Sequence, residues 1–235
     1  MDALDHHYVD DYMANGFHHV EGWCSPNLAN IFKLVDSHQT KRGVHGGCAE
    51  IGIHHGKFFI LLNALCKPGE QSWAIDVFGD QEQNVDNSGS GSKEIFVKNL
   101  QKYDRHGGSN VEIIKCDTIV TRLDKTISNP VRLFSVDGGH TAEHTISDLR
   151  QAQLALHPEG IVILDDILNA HWLGVIEGFC TYMISKPSLI PFAIGHNKLL
   201  LCNLTYWETY ASLLRDSEFV TKSSVKLFGW NIVAI

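Results

Sequence analysis

Short apolar runs alternate with helical patterns between residues 44 and about 166. This alternation is typical of parallel strands joined by crossover helices. We therefore predict an α/β fold in which a mostly parallel sheet carries helices on both faces. The predicted strands are Val44–Ile51, Ser72–Phe78, Val111–Cys116, Val131–Val136 and Ile161–Leu164, and the helices between them are Lys57–Cys66, Lys93–Tyr103, a short one at Val120–Thr126, and Ala142–Leu156.

The segments that flank this core have different patterns. Ser25 and Pro26 suit an N-cap and a first-turn proline, which predicts a helix over Asn27–Ser37 after a shorter helix at Tyr8–Met13. We expect residues 1–40 to form a helical segment that serves as a lid or a subunit contact. Beyond residue 166 the pattern predicts a helix over Trp172–Ser185, strands at Phe192–Ile194, Leu199–Asn203 and Val225–Val233, a helix near Tyr206–Arg215, and an antiparallel end to the sheet.

Length and charge narrow the class of protein. A chain of 235 residues with 44% hydrophobic side chains suits one sizeable core, so we predict a single domain over residues 1–235 with its core at 44–235. The 19 basic and 27 acidic residues give a formal charge of −8, which disfavours a nucleic-acid partner. The first residues lack the pattern of a signal peptide, and no apolar stretch approaches the roughly 18 residues of a membrane span. We therefore expect a cytoplasmic protein that does not bind membranes.

The segment Ala49–Gly56 (AEIGIHHG) runs from a predicted strand through a glycine-bearing turn into a helix. Its glycines allow the backbone to turn tightly beside a ligand, although glycines between a strand and a helix are often simple turn residues. Asp76 ends the next strand, where nucleotide-binding α/β folds bind ribose hydroxyls, and it favours the ligand interpretation. The turn has neither a dinucleotide fingerprint nor a phosphate loop. This favours S-adenosylmethionine over NAD or ATP.

Carboxylates follow two further apolar runs, Val131–His140 (VRLFSVDGGH) and Gly160–Asp166 (GIVILDD). If the two strands are neighbours in a parallel sheet, their acidic ends and His140 meet at one edge. Three carboxylates suit a hard divalent cation such as Mg²⁺, with Ca²⁺ or Mn²⁺ as alternatives. The blander interpretations are a helix cap at Asp137, a solvated His140 and a solvated turn at residues 165–166. We favour a metal site with a neighbouring base.

The order AEIGIHHGKF, AIDVFGDQ, CDT, FSVDGGHTAEHTISDL and LHPEGIVILDD resembles class I S-adenosylmethionine-dependent methyltransferases over roughly residues 44–175. Within that class, DGGH followed by PEGIVILDD resembles metal-dependent small-molecule O-methyltransferases, including the macrolide-sugar type and, more remotely, the catechol type. The resemblance implies a Rossmann-like seven-stranded sheet in the order 3-2-1-4-5-7-6 with its last strand antiparallel. Catechol-type relatives have lysine at the position of His140, whereas the sugar type has histidine.

The resemblance and the residues together assign roles. His140 is the candidate base, and Asp137, Asp165 and Asp166 are the candidate metal ligands. The expected acceptor is a hydroxyl of a small molecule, such as a sugar or a glycosylated natural product, with Trp23, His171 and Trp172 as lesser candidates for its pocket. The predicted cofactor-binding residues are Glu50, Gly52, Ile53, His54, Gly56, Asp76, Val77, Asp117, Thr118 and Asp137.

Other functions remain open at this point. One is a metal-independent methyltransferase acting on nitrogen or carbon, in which the acidic cluster binds a cationic substrate. Another is a non-catalytic S-adenosylmethionine-binding module that regulates a partner, and a third is a nicotinamide-dependent oxidoreductase. The acceptor itself cannot be predicted, and similarity to dimeric relatives makes a homo-oligomer a further expectation.

Overall fold

The structure is a computed structural model that describes residues 6–80, 82 and 84–235. The first five residues of the predicted N-terminal segment, and residues 81 and 83, lie outside this description. The strands are β1 (Gly47–Ile51), β2 (Ser72–Asp76), β3 (Val111–Lys115), β4 (Val131–Val136), β5 (Leu156–Leu164), β6 (Leu189–Gly195), β7 (Lys198–Asn203), β8 (Lys222–Leu227) and β9 (Trp230–Ala234). The α-helices are α1 (His7–Asn15), α2 (Leu28–Lys41), α3 (Lys57–Asn63), α4 (Lys93–Tyr103), α5 (Ala142–Ala155), α6 (Leu173–Ile184) and α7 (Trp207–Arg215).

The strands form one sheet in the order β3-β2-β1-β4-β5-β7-β6-β9-β8. The first seven positions confirm the predicted order, and β7 lies antiparallel between β5 and β6. Within the described residues the sheet has nine strands rather than seven, because β9 pairs in parallel with β6 and β8 pairs antiparallel with β9. The predicted α/β class, with a mostly parallel core sheet, is confirmed.

The two additional strands correct the prediction of a single strand over Val225–Val233. Phe228 and Gly229 both have positive φ angles, 50° and 84°. Two consecutive residues of this conformation form the tight turn that suits a two-residue β-hairpin. The predicted strand is therefore two strands that fold back on each other. The predicted helix at Val120–Thr126 is likewise only a single 3₁₀ turn at Leu123–Lys125.

Helices cover both faces of the sheet because alternate strand residues point to opposite sides. Cys48 of β1 belongs to a hydrophobic cluster that includes Phe32 of α2, whereas Ala49 belongs to a second cluster that includes Leu149 of α5. Strands β1 and β4 are buried along their whole length. Among the described residues, no helix has both the length and the apolar character that crossing a membrane requires.

The parallel register brings the carboxyl ends of the central strands to one edge. Ile51 pairs with Ile75 of β2 and with Val136 of β4, and Val136 pairs in turn with Leu164 of β5. The turns that follow these strands therefore lie side by side. This is the edge at which open α/β sheets bind their ligands.

Candidate active site

A cavity of about 550 Å³ opens at this edge of the sheet. Its wall includes turns from the central strands and part of the segment between α1 and α2, from which Trp23 lines the cavity. Trp172 lines it as well, whereas His171 does not. The predicted site residues that line the cavity are Gly52, His54, Asp76, Val77, Asp117, Thr118, Asp137, His140, Asp165 and Asp166.

Three predicted cofactor residues do not line the cavity. Ile53 is 3% exposed and packs into the hydrophobic core. Gly56 has φ of 90° and precedes α3, and a Cβ atom there would lie 2.6 Å from the ring of Phe96. Glu50 is 3% exposed at the end of β1, and burial raises its pKa to about 8, against the opposing charge of Lys198. These three residues lie behind the lining of the cavity, at or next to the turn after β1.

The turn after β1 is shaped by Gly52. Its φ is 87°, and a Cβ atom at this position would lie 1.7 Å from the carbonyl oxygen of Asp137. No side chain fits such a gap, so glycine is required for the close approach of the β1 and β4 turns. Gly52 also lines the cavity.

Backbone amides fix the carboxylates of Asp76 and Asp117, which both line the cavity. Asp76 accepts hydrogen bonds from the amides of His54 (2.8 Å) and Phe78 (2.5 Å). Asp117 accepts one from the amide of Ile119 (2.8 Å). Carboxylates held in this way retain further acceptor capacity toward hydroxyl and amino groups of a ligand.

The acidic cluster comprises Asp137, His140 and Asp166, whose ligand atoms all lie within 4.8 Å of one another. His140 Nε2 lies 2.8 Å from Oδ2 of Asp166, and His140 Nδ1 lies 2.9 Å from Oδ2 of Asp86. The imidazole also stacks on the ring of Trp172 at a centroid distance of 4.4 Å. The ring of His140 is therefore held on both edges and on one face.

Charges within the cluster shift its titration. Burial disfavours the imidazolium, but the hydrogen bonds to Asp166 and Asp86 outweigh it and raise the pKa of His140 to about 9. Burial and the nearby charge of Asp165 raise the pKa of Asp137 well above its usual range. This concentration of negative charge favours a cation, either the imidazolium itself or a metal ion.

The structure differs from the prediction at Asp165. Its Oδ1 accepts a hydrogen bond from the amide of Asp166 (2.8 Å), and its Oδ2 forms an ion pair with Lys198. Lys198 is 2% exposed, so a buried ammonium group already compensates this carboxylate. Asp166 has φ of 58°, and this left-handed conformation directs the adjacent carboxylates to different partners.

Sequence reasoning missed several polar residues of the site. Oδ1 of Asp166 accepts hydrogen bonds from the side-chain amides of Asn169 (2.8 Å) and Asn197 (2.6 Å). No local sequence motif marks Asp86, Asn197 or Lys198, and each of them reaches the site from a distant part of the chain. The doublet Asn197-Lys198 at the start of β7 is the one sequence signal, since β7 adjoins β5 in the implied strand order.

The comparisons with known proteins agree with this geometry. A family model described as "Methyltransferase domain" matches residues 49–167, which include the glycine turn and the acidic cluster. The chain belongs to this family. It is therefore a class I S-adenosylmethionine-dependent methyltransferase, as predicted.

Solved structures and a curated sequence are similar to this methyltransferase. The O-methyltransferase NovP matches with a TM-score of 0.61 and 18% identity, covering 75% of this chain and 79% of its own. TomG, the O-methyltransferase of tomaymycin synthesis from Streptomyces achromogenes, solved with S-adenosylmethionine, has a TM-score of 0.54 and 14% identity, covering 83% and 87%. An uncharacterized protein, R132, of Acanthamoeba polyphaga mimivirus is 25% identical over 171 residues, which are 70% of this chain and 67% of that protein.

Proposed function

We propose that this methyltransferase transfers the methyl group of S-adenosylmethionine to a hydroxyl group of a small molecule, assisted by a divalent cation. The observation that supports this proposal is the presence of the acidic cluster in the same cavity as the glycine turn and Asp76. A methyl donor in one half of the cavity would face a hydroxyl acceptor beside the cluster in the other half.

The cofactor half is formed by the turns after β1, β2 and β3. The turn at Gly52 suits the methionine end of the cofactor, since Gly52 lines the cavity and has no side chain. Asp76 suits the two ribose hydroxyls because its carboxylate is fixed by backbone amides. Asp117 and Thr118, after β3, suit the adenine. Gly56, Ile53 and Glu50 hold this turn in place.

The residues of the acceptor half fit a divalent cation. Asp137 and Asp166 offer oxygen ligands of the kind that Mg²⁺ prefers, and their crowded negative charge calls for compensation. In this arrangement Asp165 has its charge balanced by Lys198, so its part is to fix the neighbouring Asp166 rather than to supply a free oxygen. When bound, a divalent cation lowers the pKa of an acceptor hydroxyl and orients it.

His140 is the proposed base. Asp86 holds its Nδ1 edge, which leaves the Nε2 edge directed into the acidic cluster. A base oriented by a carboxylate on its far nitrogen is the arrangement that general base catalysis requires. Positive charge near Asp166 would lower the pKa of His140, and the neutral imidazole would then accept the proton of the acceptor hydroxyl.

The size of the cavity favours a small acceptor. Its wall includes Trp23 and Trp172, whose rings suit the apolar face of a sugar or of a glycosylated natural product. TomG acts in the synthesis of a natural product, which is consistent with such an acceptor class. The net charge of −8 argues against nucleic acid. Homo-oligomerisation and a role for the N-terminal segment as a lid stay predictions.

The proposal can be tested by measuring release of S-adenosylhomocysteine from a panel of hydroxylated small molecules, with Mg²⁺ or with chelator. We expect turnover on at least one hydroxyl acceptor, loss of turnover in chelator, and loss of turnover in Asp166→Asn. Glu218→Gln, which removes an exposed carboxylate, serves as the matched control. Turnover of a hydroxyl acceptor that is unchanged in chelator would contradict the role of the cation. Turnover that appears only when amine or carbon acceptors replace the hydroxyl panel would support the metal-independent N- or C-methyltransferase. Cofactor binding without turnover on any acceptor would support the non-catalytic module.

A further inference from the structure

A second group of metal-binding side chains lies apart from the acidic cluster. Glu21, His54 and His55 present ligand atoms that all lie within 4.8 Å of one another. Glu21 comes from the segment between α1 and α2, whereas the two histidines belong to the turn after β1. The group therefore joins two parts of the chain that are distant in sequence.

His55 is the least expected member of this group. It is 5% exposed, and neither of its ring nitrogens has a hydrogen-bond partner among the described residues. Nδ1 lies 3.2 Å from Oε2 of Glu21, but without hydrogen-bond geometry. Since buried polar atoms in folded proteins nearly always have a partner, two unpartnered nitrogens on one imidazole indicate that a group is missing.

His54 shows the same feature. Its Nδ1 atom is buried and has no hydrogen-bond partner in the described part of the chain. The ring lies 4.0 Å, centroid to centroid, from the ring of His55.

From these observations we infer that Glu21, His54 and His55 form a binding site for a transition-metal ion of the zinc class. Two imidazoles and one carboxylate are a ligand set that Zn²⁺ accepts, with the fourth position open. Tetrahedral coordination requires ligand atoms about 3.4 Å apart. Glu21 Oε2 already lies 3.2 Å from Nδ1 of His55, and its side chain is 74% exposed, which leaves room for it to adjust to an ion.

The location gives such an ion a structural consequence. His54 lines the cofactor cavity, and Trp23, two residues beyond Glu21, lines it as well and lies 5.4 Å from His54, ring to ring. An ion shared by Glu21 and the histidines would fasten the segment between α1 and α2 to the turn after β1. This inference does not depend on the proposed acceptor or on the acidic cluster.

The test is titration of the metal-free full-length protein with Zn²⁺ by calorimetry and with Co²⁺ by visible absorption. We expect a site with the intense bands of tetrahedral Co²⁺, in addition to any binding of these ions at the acidic cluster. In Glu21→Gln and His54→Gln we expect affinity to fall at least about tenfold, because losing a ligand costs more than losing an outer-shell partner. Glu218→Gln and His45→Gln, both at exposed positions, are the matched controls and should bind as the wild type does.

The variant Asp166→Asn distinguishes this site from the acidic cluster, because it changes the acidic cluster and leaves the three proposed ligands intact. It should keep the tetrahedral Co²⁺ spectrum. His55→Gln is a further variant, but His55 is buried, so Glu21→Gln decides the matter if His55→Gln does not fold. The inference is overturned if the protein binds neither ion, or if Glu21→Gln binds as tightly as the wild type. It is equally overturned if Asp166→Asn alone abolishes binding, since the ion would then occupy the acidic cluster.

Discussion

The side chain of His140 is controlled by two carboxylates from different parts of the chain. Asp166 follows β5, and Asp86 lies in the loop between β2 and α4, and each bonds to one ring nitrogen. Stacking on Trp172 fixes the plane of the ring. At the scale of single residues, the neighbours of His140 therefore set the orientation and the charge of its imidazole, and these neighbours lie outside the DGGH motif.

Replacing Asp86 with Asn should lower the pKa of His140. The substitution removes one of the two negative charges that stabilise the imidazolium, and one opposite charge at hydrogen-bond distance is worth about 1–3 pKa units. The pKa should fall from about 9 to about 6–8 in the metal-free protein. The measurement is an NMR titration of the imidazole nitrogens, with His140→Gln used to assign the resonance.

Asp216→Asn, at an exposed position after α7, is the matched control and should leave the titration of His140 unchanged.

The raised pKa of His140 also sets the sign of an effect on stability. Because the folded pKa lies above the unfolded value of about 6.5, His140 contributes stability below pH 6.5 that is lost as the pH rises through 9. The free-energy difference between the wild type and His140→Gln should shrink over that interval, and a constant difference would contradict the assignment.

At the scale of elements, the turn after β1 determines where the cofactor half of the cavity lies. Gly52 has φ of 87°, and its Cα is packed against the carbonyl of Asp137. The turns after β1 and β4 can therefore approach only if this position has no side chain. The contact couples the cofactor half of the cavity to the turn that begins the acidic cluster.

Gly52→Ala and Gly69→Ala form a matched pair that tests this coupling. Both glycines have nearly the same φ, 87° and 88°, but a Cβ at Gly69 would meet nothing within 4 Å. Alanine at Gly69 should cost only the backbone penalty of about 1–2 kcal/mol in the free energy of unfolding. Alanine at Gly52 should cost several kcal/mol more or prevent folding, because backbone must move. Equal losses in chemical denaturation would contradict the close approach.

The elements also show what the sequence could and could not predict. The ends of β4 and β5 were predictable because strand order and parallel register place Asp137 and Asp166 at one edge. The ion pair of Asp165 with Lys198 could not be predicted from the sequence, because it depends on the register of the antiparallel strand β7, which no local pattern specifies. The position of Glu50 in the motif predicts contact with the cofactor, but β1 is buried on both faces, and the side chain of Glu50 is buried with it.

At the scale of the whole molecule, a cofactor in the cavity would touch the turns of several strands at once. A ligand that binds the folded state alone stabilises it by about 2.7 kcal/mol at a concentration one hundred times its dissociation constant. For a chain of this length, each kcal/mol corresponds to about 2–4 °C in the melting temperature. Binding at this edge should therefore be visible in a thermal denaturation experiment without knowledge of the acceptor.

S-adenosylhomocysteine at that excess should raise the melting temperature by about 5–10 °C. NADH should leave it unchanged, because the turn after β1 lacks a dinucleotide fingerprint. Asp76→Asn should weaken binding, because it replaces the carboxylate that we propose for the ribose hydroxyls. His140→Gln should bind S-adenosylhomocysteine as the wild type does, because we propose that His140 serves the acceptor half of the cavity. Stabilisation by NADH but not by S-adenosylhomocysteine would contradict the cofactor assignment, and equal loss in both variants would contradict the division of the cavity into two halves.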